Sequence, residues 1–310
     1  FTIICSIIAI IGSYYFPKGF NYLYLIPFNK GLTVSPILDA FVDWIWDTFF
    51  FYLNTFNIFL LTNVLGPMKQ AYLNMPVVST FVLFMGAGYI IGGIRSCLIV
   101  GSLILFIALS EYWDRTLITL YMATFAVGVS AFSGIIVGSL CSQNDFASKT
   151  ILSICDFFQT FPSFIYLIPV ILLFGITDTS VMIAAIVYAS VPATRYTVEG
   201  LRSVPSSLHD AGAMSGVSKL QRWRLIDLPL ALPHIMLGTN QTVIFPLMMI
   251  VLGALIGTED LGQLIMGSLS RPNGAGIGFT LGIFISFICL AVDNLIRTWA
   301  DERKRLLGIN

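Results

Sequence analysis

The sequence predicts an all-α integral membrane protein with about seven or eight spanning helices and additional interfacial amphipathic helices, and three observations carry that prediction. Of its 310 residues, 57% are hydrophobic and only 10% are charged, with a mean hydropathy of +0.88. A soluble domain carries about 25% charge. Apolar runs near the ~20 residues needed to cross a bilayer recur along the chain. Several of these runs are short or broken by Gly and Pro, which suits helices lining a path better than helices facing lipid all round.

In chain order, spans are expected near 1–16, 76–93, 96–111, 116–140, 151–174, 178–195, 234–257 and 276–297. The first is read as a transmembrane helix because no small-residue cleavage site comes after it. Residues 17–75 hold Pro17, Pro27, Pro36 and Pro67, and Trp44 and Trp46 interleave there with Asp43, Asp47 and Lys69. That mixture predicts an extracytoplasmic region of amphipathic helices lying in the interface, with their rings at headgroup depth. The main membrane domain then runs over 76–300 and a basic tail over 301–310.

Between the spans at 178–195 and 234–257 lies a polar island, residues 196–233, whose local chemistry is specific. Ser207 and Asp210 form a capping-box pattern that predicts a short helix from about Leu208. Gly216 is placed to end it, since a residue of positive φ costs glycine least. Ser218 and Gln221 form a second capping box, opening a helix through Trp223 to Leu228, and Pro229 and Pro233 are expected to break or kink the chain beyond Leu228. The product is a sharp corner presenting backbone, small side chains and the charges of Lys219, Arg222 and Arg224.

Orientation is set by the basic residues. With the island on the cytoplasmic side, eleven of the sixteen Lys and Arg fall inside (Arg95, Lys149, Arg195, Arg202, Lys219, Arg222, Arg224, Arg297, Arg303, Lys304, Arg305). Five (Lys18, Lys30, Lys69, Arg115, Arg271) fall outside. This satisfies the positive-inside rule and puts the corner and the C-terminal tail in the cytoplasm. A formal net charge of zero argues against a nucleic-acid surface.

Asp210, Ala211, Gly212, Gly216, Ile226, Leu228 and Pro229 together resemble the EAA loop of ABC-importer permeases, with Asp for the usual Glu and Gly for the third small residue. Two further stretches, Gln159 to Pro169 and Leu230 to Met236 with Gly238, Asn240, Gln241 and Thr242, resemble the glycine betaine/proline (quaternary amine) uptake branch. Leu261-Gly262-Gln263 and the last helix with Asp293 fit that branch too. The resemblance implies the type I importer transmembrane domain in a bacterial-type cytoplasmic (inner) membrane. It also implies that these seven residues are the coupling element for a cytoplasmic ATPase. Implied partners are ABC ATPase subunits, an extracytoplasmic substrate-binding protein and a second permease copy, here expected to be identical.

The implied cargo is a small methylated amine osmolyte such as glycine betaine, choline, proline betaine or trimethylamine N-oxide. An ABC permease for amino acids such as methionine carries a similar loop and is the alternative. No GxxxxGK[ST] phosphate loop occurs in the sequence, so the chain is not expected to be an enzyme. No cofactor is expected on this chain, and ATP and Mg belong on the partner ATPase. With only about a dozen residues after Arg297, the receptor is expected to be a separate chain.

Polar or kinked positions at membrane depth mark the candidate path: Gln159, Thr160, Pro162, Ser163, Tyr166, Asn240, Gln241 and Thr242. Polar groups in lipid are costly unless they face a cavity or one another, and the last three would equally tie helices together. Phe161, Phe164 and Tyr166 are candidate cation–π faces, although ordinary packing accounts for most aromatic residues. Gly134, Gly138, Gly253 and Gly257 suit close helix contacts, whether sliding or static.

Asp293 is expected to pair with Arg297 one turn on. His209 and His234 lack further ligands at zinc spacing. Cys5, Cys97, Cys141, Cys155 and Cys289 show no CxxC spacing and read as small apolar residues. A membrane enzyme would need a nucleophile with its base or a metal set within spans. An ion-gradient-driven secondary transporter would need midplane acids and inverted repeats. Neither accounts for the corner.

Overall fold

A computed structural model describes residues 35–306, except for the side chains of Ser35, Ala213, Arg303, Lys304 and Leu306. The expected helix at 1–16, the stretch 17–34 and residues 307–310 of the tail lie outside the described residues. Two compact units divide the chain, Phe1–Phe49 and Phe50–Asn310. In the first unit, Phe41 stacks on Trp44 at 6.2 Å between centroids, and Trp44 meets Phe49 edge-on at 6.0 Å.

All the described regular structure is helical. The elements are α1 (Ser35–Phe59), α2 (Gly66–Leu73), α3 (Val77–Ala108), α4 (Trp113–Cys141), α5 (Asp145–Thr160), α6 (Leu167–Phe174) and α7 (Asp178–Arg202). They continue with α8 (Ser206–Met214), α9 (Lys219–Arg222), α10 (Leu228–Gly253), α11 (Leu261–Leu269) and α12 (Ala275–Leu306). Six helical stretches are long and apolar enough to cross a membrane, or seven if one bent pair is a single span.

The differences from the expected spans have local causes. Pro36–Leu73 is one continuous helical stretch, long and apolar enough to cross, where several helices were expected. The acids Asp39, Asp43 and Asp47 gather at its start, while Thr48 to Gly66 contains no charge. The spans expected at 76–93 and 96–111 are the two arms of α3, which folds back at Gly92 and Gly93. Gly93 takes φ +66°, and a Cβ on Gly88 would lie 3.0 Å from the Cα of Cys97. The span expected at 151–174 is broken at Phe161 and Pro162, with α5 and the segment Ser163–Phe174 bent by 108°. Pro162 has no N–H to continue the α5 ladder, and the residue before a proline favours extended backbone; Phe161 has ψ 135°.

The core centres on α7, which packs between α4 and α10. Glycine permits the approach on both sides. A Cβ on Gly134 of α4 would sit 2.5 Å from the Ala193 side chain, and one on Gly138 would sit 2.7 Å from that of Thr197. On the other side, Gly200 meets His234, Gly238 meets Tyr196, and Gly253 meets Val181, each with a would-be contact of 2.7 to 2.8 Å. Gly257 differs from the expectation for it: it packs against nothing and instead takes φ +92° to turn the chain after α10. Tyr121, Met122, Met182, Leu247, Met249 and Ile250 of these helices form a buried cluster with Leu281 of α12.

Gly138→Leu should overpack the α4–α7 contact and cost about 1–3 kcal/mol. A melting midpoint in detergent equal to that of the unchanged protein would refute the close contact.

Candidate functional site

The corner forms from two short helices as the sequence implies, with changes in detail. α8 begins at Ser206, two residues before the expected start, and Leu208 N–H bonds the Pro205 carbonyl, so Ser207 lies inside the first turn. Gly216 takes φ +72°. Ser215 N–H and Val217 N–H donate to the Ala211 and Gly212 carbonyls, closing the end of α8. The second capping box is complete: Ser218 Oγ accepts from Gln221 N at 3.3 Å, and Gln221 Oε1 accepts from Ser218 N at 2.9 Å.

Beyond it the chain does not break. Trp223–Asp227 forms one wide π turn in which Leu228 N–H reaches back to the Trp223 carbonyl. α10 then starts with Pro229 in its first turn and carries Pro233 within it. The wider turn relieves the clash a proline ring would make with the carbonyl four residues earlier. The stretch Lys219–Ile256 therefore runs as one 38-residue helical unit.

The seven EAA-like residues divide by exposure. Asp210 and Ala211 are exposed, whereas Gly212 is buried against Ile226, whose Cδ1 would lie 3.1 Å from a Cβ placed there. Leu228 and Pro229 are half-buried at the start of α10. Exposed Leu208, Met214, Leu220 and Leu225 give this end of the molecule an apolar rim.

Asp227 is the residue that sequence reasoning missed. It is buried, at 7% exposure, and its carboxylate meets His209 Nε2 of α8 at 2.9 Å and Arg222 Nε of α9 at 3.4 Å. The aspartate in the Ile226-Asp227-Leu228-Pro229 run was the available signal. Beside it opens a cleft of about 690 Å³ between the α4–α5 turn, the end of α7 and the two short helices, lined by Asp145, Arg202, Lys219, Trp223 and Asp227 among others. Arg202 pairs there with Asp145.

The candidate path residues fall into several places. Gln159 accepts from Arg195 Nη1 at 3.3 Å, and Gln241 Nε2 donates to Tyr196 OH at 3.1 Å. Tyr166 is buried, donates to the Phe158 carbonyl, and packs against the rings of Phe158 and Tyr188. Thr160 and Thr242 bond their own helices through the carbonyls of Phe157 and Gly238. Pro162 makes the bend, and Ser163 lines a separate apolar cavity of about 650 Å³ between α10 and α12. The Asn240 side-chain oxygen is buried with no partner among the described residues. Phe161 and Phe164 stand exposed. Arg195 lies within α7 rather than in a loop. Its Nη1 meets Asp156 at 2.5 Å and its Nε meets Glu199 at 3.0 Å. Asp293 and Arg297 pair at 2.9 Å in α12.

At the end of the bundle away from the corner, Lys69 lies 3.6 Å from Asp178 and 3.4 Å from Glu259, and Arg115 Nη1 donates to the Glu259 carbonyl at 2.7 Å. Next to them Asp260 is fully buried and caps α11 by accepting from Gln263 N at 3.0 Å. Burial pushes its carboxyl up to about 6, outweighing the hydrogen bonds from Gln263, Thr258 and Gly262 that favour the charged form.

Residues 130–305 match the family described as binding-protein-dependent transport system inner membrane component. The chain is 59% identical over 308 residues to a trimethylamine N-oxide transport system permease protein of Pelagibacter ubique, covering 99% of this chain and 43% of that protein. It is 40% identical over 248 residues to the corresponding protein of Ruegeria pomeroyi, covering 80% and 37%. A glycine betaine transport system permease protein of Bacillus subtilis is 29% identical over 275 residues, covering 88% and 96%. The chain thus spans less than half the length of the two trimethylamine N-oxide relatives.

If Asp227 ties α8 to α10, a double-mutant cycle with Asp227→Asn and His209→Ala should show a coupling of about 0.5–3 kcal/mol. Additive melting shifts would refute the tie.

The buried Asp260 gives a pH dependence of known sign. Its folded carboxyl titrates above the ordinary 3.8, near 6, so the folded state holds more protons in that window. Stability is then highest below it and is lost as pH rises through about 6. Melting of the wild type from pH 4 to 7 should show this fall, and Asp260→Asn should remove it.

Proposed function

The chain belongs to the family of binding-protein-dependent transport system inner membrane components, the ABC permease domain, and from that premise we propose that it is the membrane-spanning permease of an ATP-driven importer for small methylated amine osmolytes. Permease subunits of this family are transport components, not enzymes. The observation that carries the reading is the corner at Gly216, an exposed two-helix element with a positive-φ glycine, complete capping and a continuous helix into the bundle. In this reading Asp210, Ala211, Gly212, Gly216, Ile226, Leu228 and Pro229 form the coupling element, at the cytoplasmic face of a bacterial inner membrane.

Cytoplasmic ABC ATPases carry ATP and Mg and dock on the exposed Asp210 side of α8, within the apolar rim of Leu208, Met214, Leu220 and Leu225. An extracytoplasmic receptor delivers the solute to the opposite face, where Lys69, Arg115, Asp178 and Glu259 gather. A second copy completes the path. ATP-driven closure moves the two corners together, and the helical unit from Lys219 to Ile256 passes that motion across the membrane as a rigid body. The names of the relatives support trimethylamine N-oxide or glycine betaine as cargo.

The test is ATP-dependent uptake of labelled trimethylamine N-oxide and glycine betaine into vesicles holding the complete transporter with its ATPase and receptor. Uptake should require all the components, and a receptor that binds amino acids instead would overturn the cargo. Gly216→Pro should leave the bundle inserted but abolish uptake, whereas Asp210→Ala should weaken recovery of the ATPase on pull-down. Normal uptake by Gly216→Pro would sink the coupling assignment.

A further inference from the structure

Two helices, α5 and α10, converge on one side of α7, and each of the three brings an aromatic ring and a polar group in the same order. Phe158 of α5, Tyr188 of α7 and Phe245 of α10 form a ladder with Tyr166. Phe158 stacks on Tyr166 at 5.9 Å, Tyr166 meets Tyr188 at 5.3 Å, and Tyr188 stacks on Phe245 at 4.8 Å with an interplanar angle of 18°. Tyr188, between Tyr166 and Phe245, and Phe245 at the end of the ladder are only half-buried, so part of the Tyr188 ring and of the Phe245 ring stays open.

Below the rings, toward the corner, lies a polar tier on the same helices. Arg195 is seven residues after Tyr188, almost two full turns, and so returns to the same face of α7 about 10 Å further along. It is held by Asp156 of α5 and by Glu199. Gln241, one turn before Phe245 in α10, donates to Tyr196. Among the described residues Arg195 Nε and Nη1 are engaged, which leaves Nη2, on a side chain 34% exposed, to donate elsewhere.

The exposure is informative because these side chains are charged. The partly exposed Arg195 and Glu199 side chains and the exposed Asp156 cannot face hydrocarbon without a large cost. This face therefore borders water or another polar wall. Ring surface and a fixed guanidinium on one side of α7 suit one ligand chemistry, a methylated ammonium group bonded to an anionic oxygen or one carbon from a carboxylate. Methyl groups carrying positive charge are attracted to ring faces, and the oxygen accepts from the guanidinium.

We propose that Tyr188 and Phe245, with Arg195 beneath them, form a transient transmembrane site for zwitterions of this kind, such as trimethylamine N-oxide. The site rests on the importer reading under Proposed function and names where in the chain that cargo is held. Tyr188, Arg195 and Phe245 act on the ligand directly; Asp156 and Glu199 position the guanidinium.

The experiment uses the complete transporter reconstituted with its ATPase and receptor, and reads uptake of labelled trimethylamine N-oxide and glycine betaine beside receptor-stimulated ATP hydrolysis. Tyr188→Leu and Phe245→Leu should each lower uptake about tenfold while ATP hydrolysis continues, and Tyr188→Phe should recover most of what Tyr188→Leu loses. A Phe245→Trp variant should show a saturable change in indole emission as trimethylamine N-oxide is added during turnover. Leucine variants with wild-type uptake, or an indole indifferent to the ligand, would overturn the site while leaving the importer intact. A wild type that carries no methylated amine would overturn the importer reading and the site with it.

Discussion

The approach of α7 to its two neighbours is the constraint on which the other features depend. At Gly134, Gly138, Gly200, Gly238 and Gly253 no added Cβ has room. Within a bilayer no hydrophobic force draws one helix to another, so contact rests on van der Waals packing at short range, and small residues make that possible. The same closeness fixes the rotation of α7. Once Gly200 and Tyr196 face α10 while Ala193 and Thr197 face α4, Tyr188 and Arg195 have one direction left to point. The ring ladder and the polar tier are consequences of that packing.

A second constraint is set at the ends of α10. Asp227 and Asp260 are the buried charged residues among those described, and they stand just before and just after this helix and the short turn at its end. Asp227 gathers His209 and Arg222, so the corner cannot tilt without moving the start of α10. Asp260 caps α11 and neighbours the Lys69 and Glu259 cluster. Between them the helix is uninterrupted because the π turn at Trp223–Asp227 absorbs Pro229. A kink there would have let the corner swing freely. A continuous helix makes the displacement of one end a displacement of the other.

Much of this is legible in the sequence, and the misses share a cause. Capping boxes, a helix-ending glycine and an i,i+4 ion pair are local, and Ser218 with Gln221, Gly216, and Asp293 with Arg297 behave as their spacing implies. Pro229 reads as a break only when its effect is weighed without the wider turn ahead of it, which depends on the packing of Trp223 and Asp227. Asp156 and Arg195 are 39 residues apart, and nothing in either segment announces the other. That residues 36–73 form one continuous helix is hidden because acids and tryptophans crowd the first turns of the stretch, ahead of its charge-free run. The EAA-like pattern is visible as letters, yet the contact of Gly212 with Ile226, which explains why one must be small and the other branched, emerges only in the fold.

The bend at Pro162 connects these layers. Were α5 to continue straight, Phe158 and Asp156 would belong to an ordinary spanning helix with one of them forced toward lipid. Breaking the span lets α5 lie against α7 with Asp156 on Arg195, and it sends Ser163–Phe174 in another direction, carrying Tyr166 back onto Phe158. The Tyr166 hydroxyl then bonds the Phe158 carbonyl at the frayed end of α5, a group that the lost helical ladder would otherwise leave unpaired in the membrane. One proline thus creates the exposed carbonyl, the ring that satisfies it and the face on which charge is tolerated. Charge tolerated on one face of a single chain still needs a polar wall opposite it. In the importer we propose, a second copy would supply that wall, and the path would lie between the two.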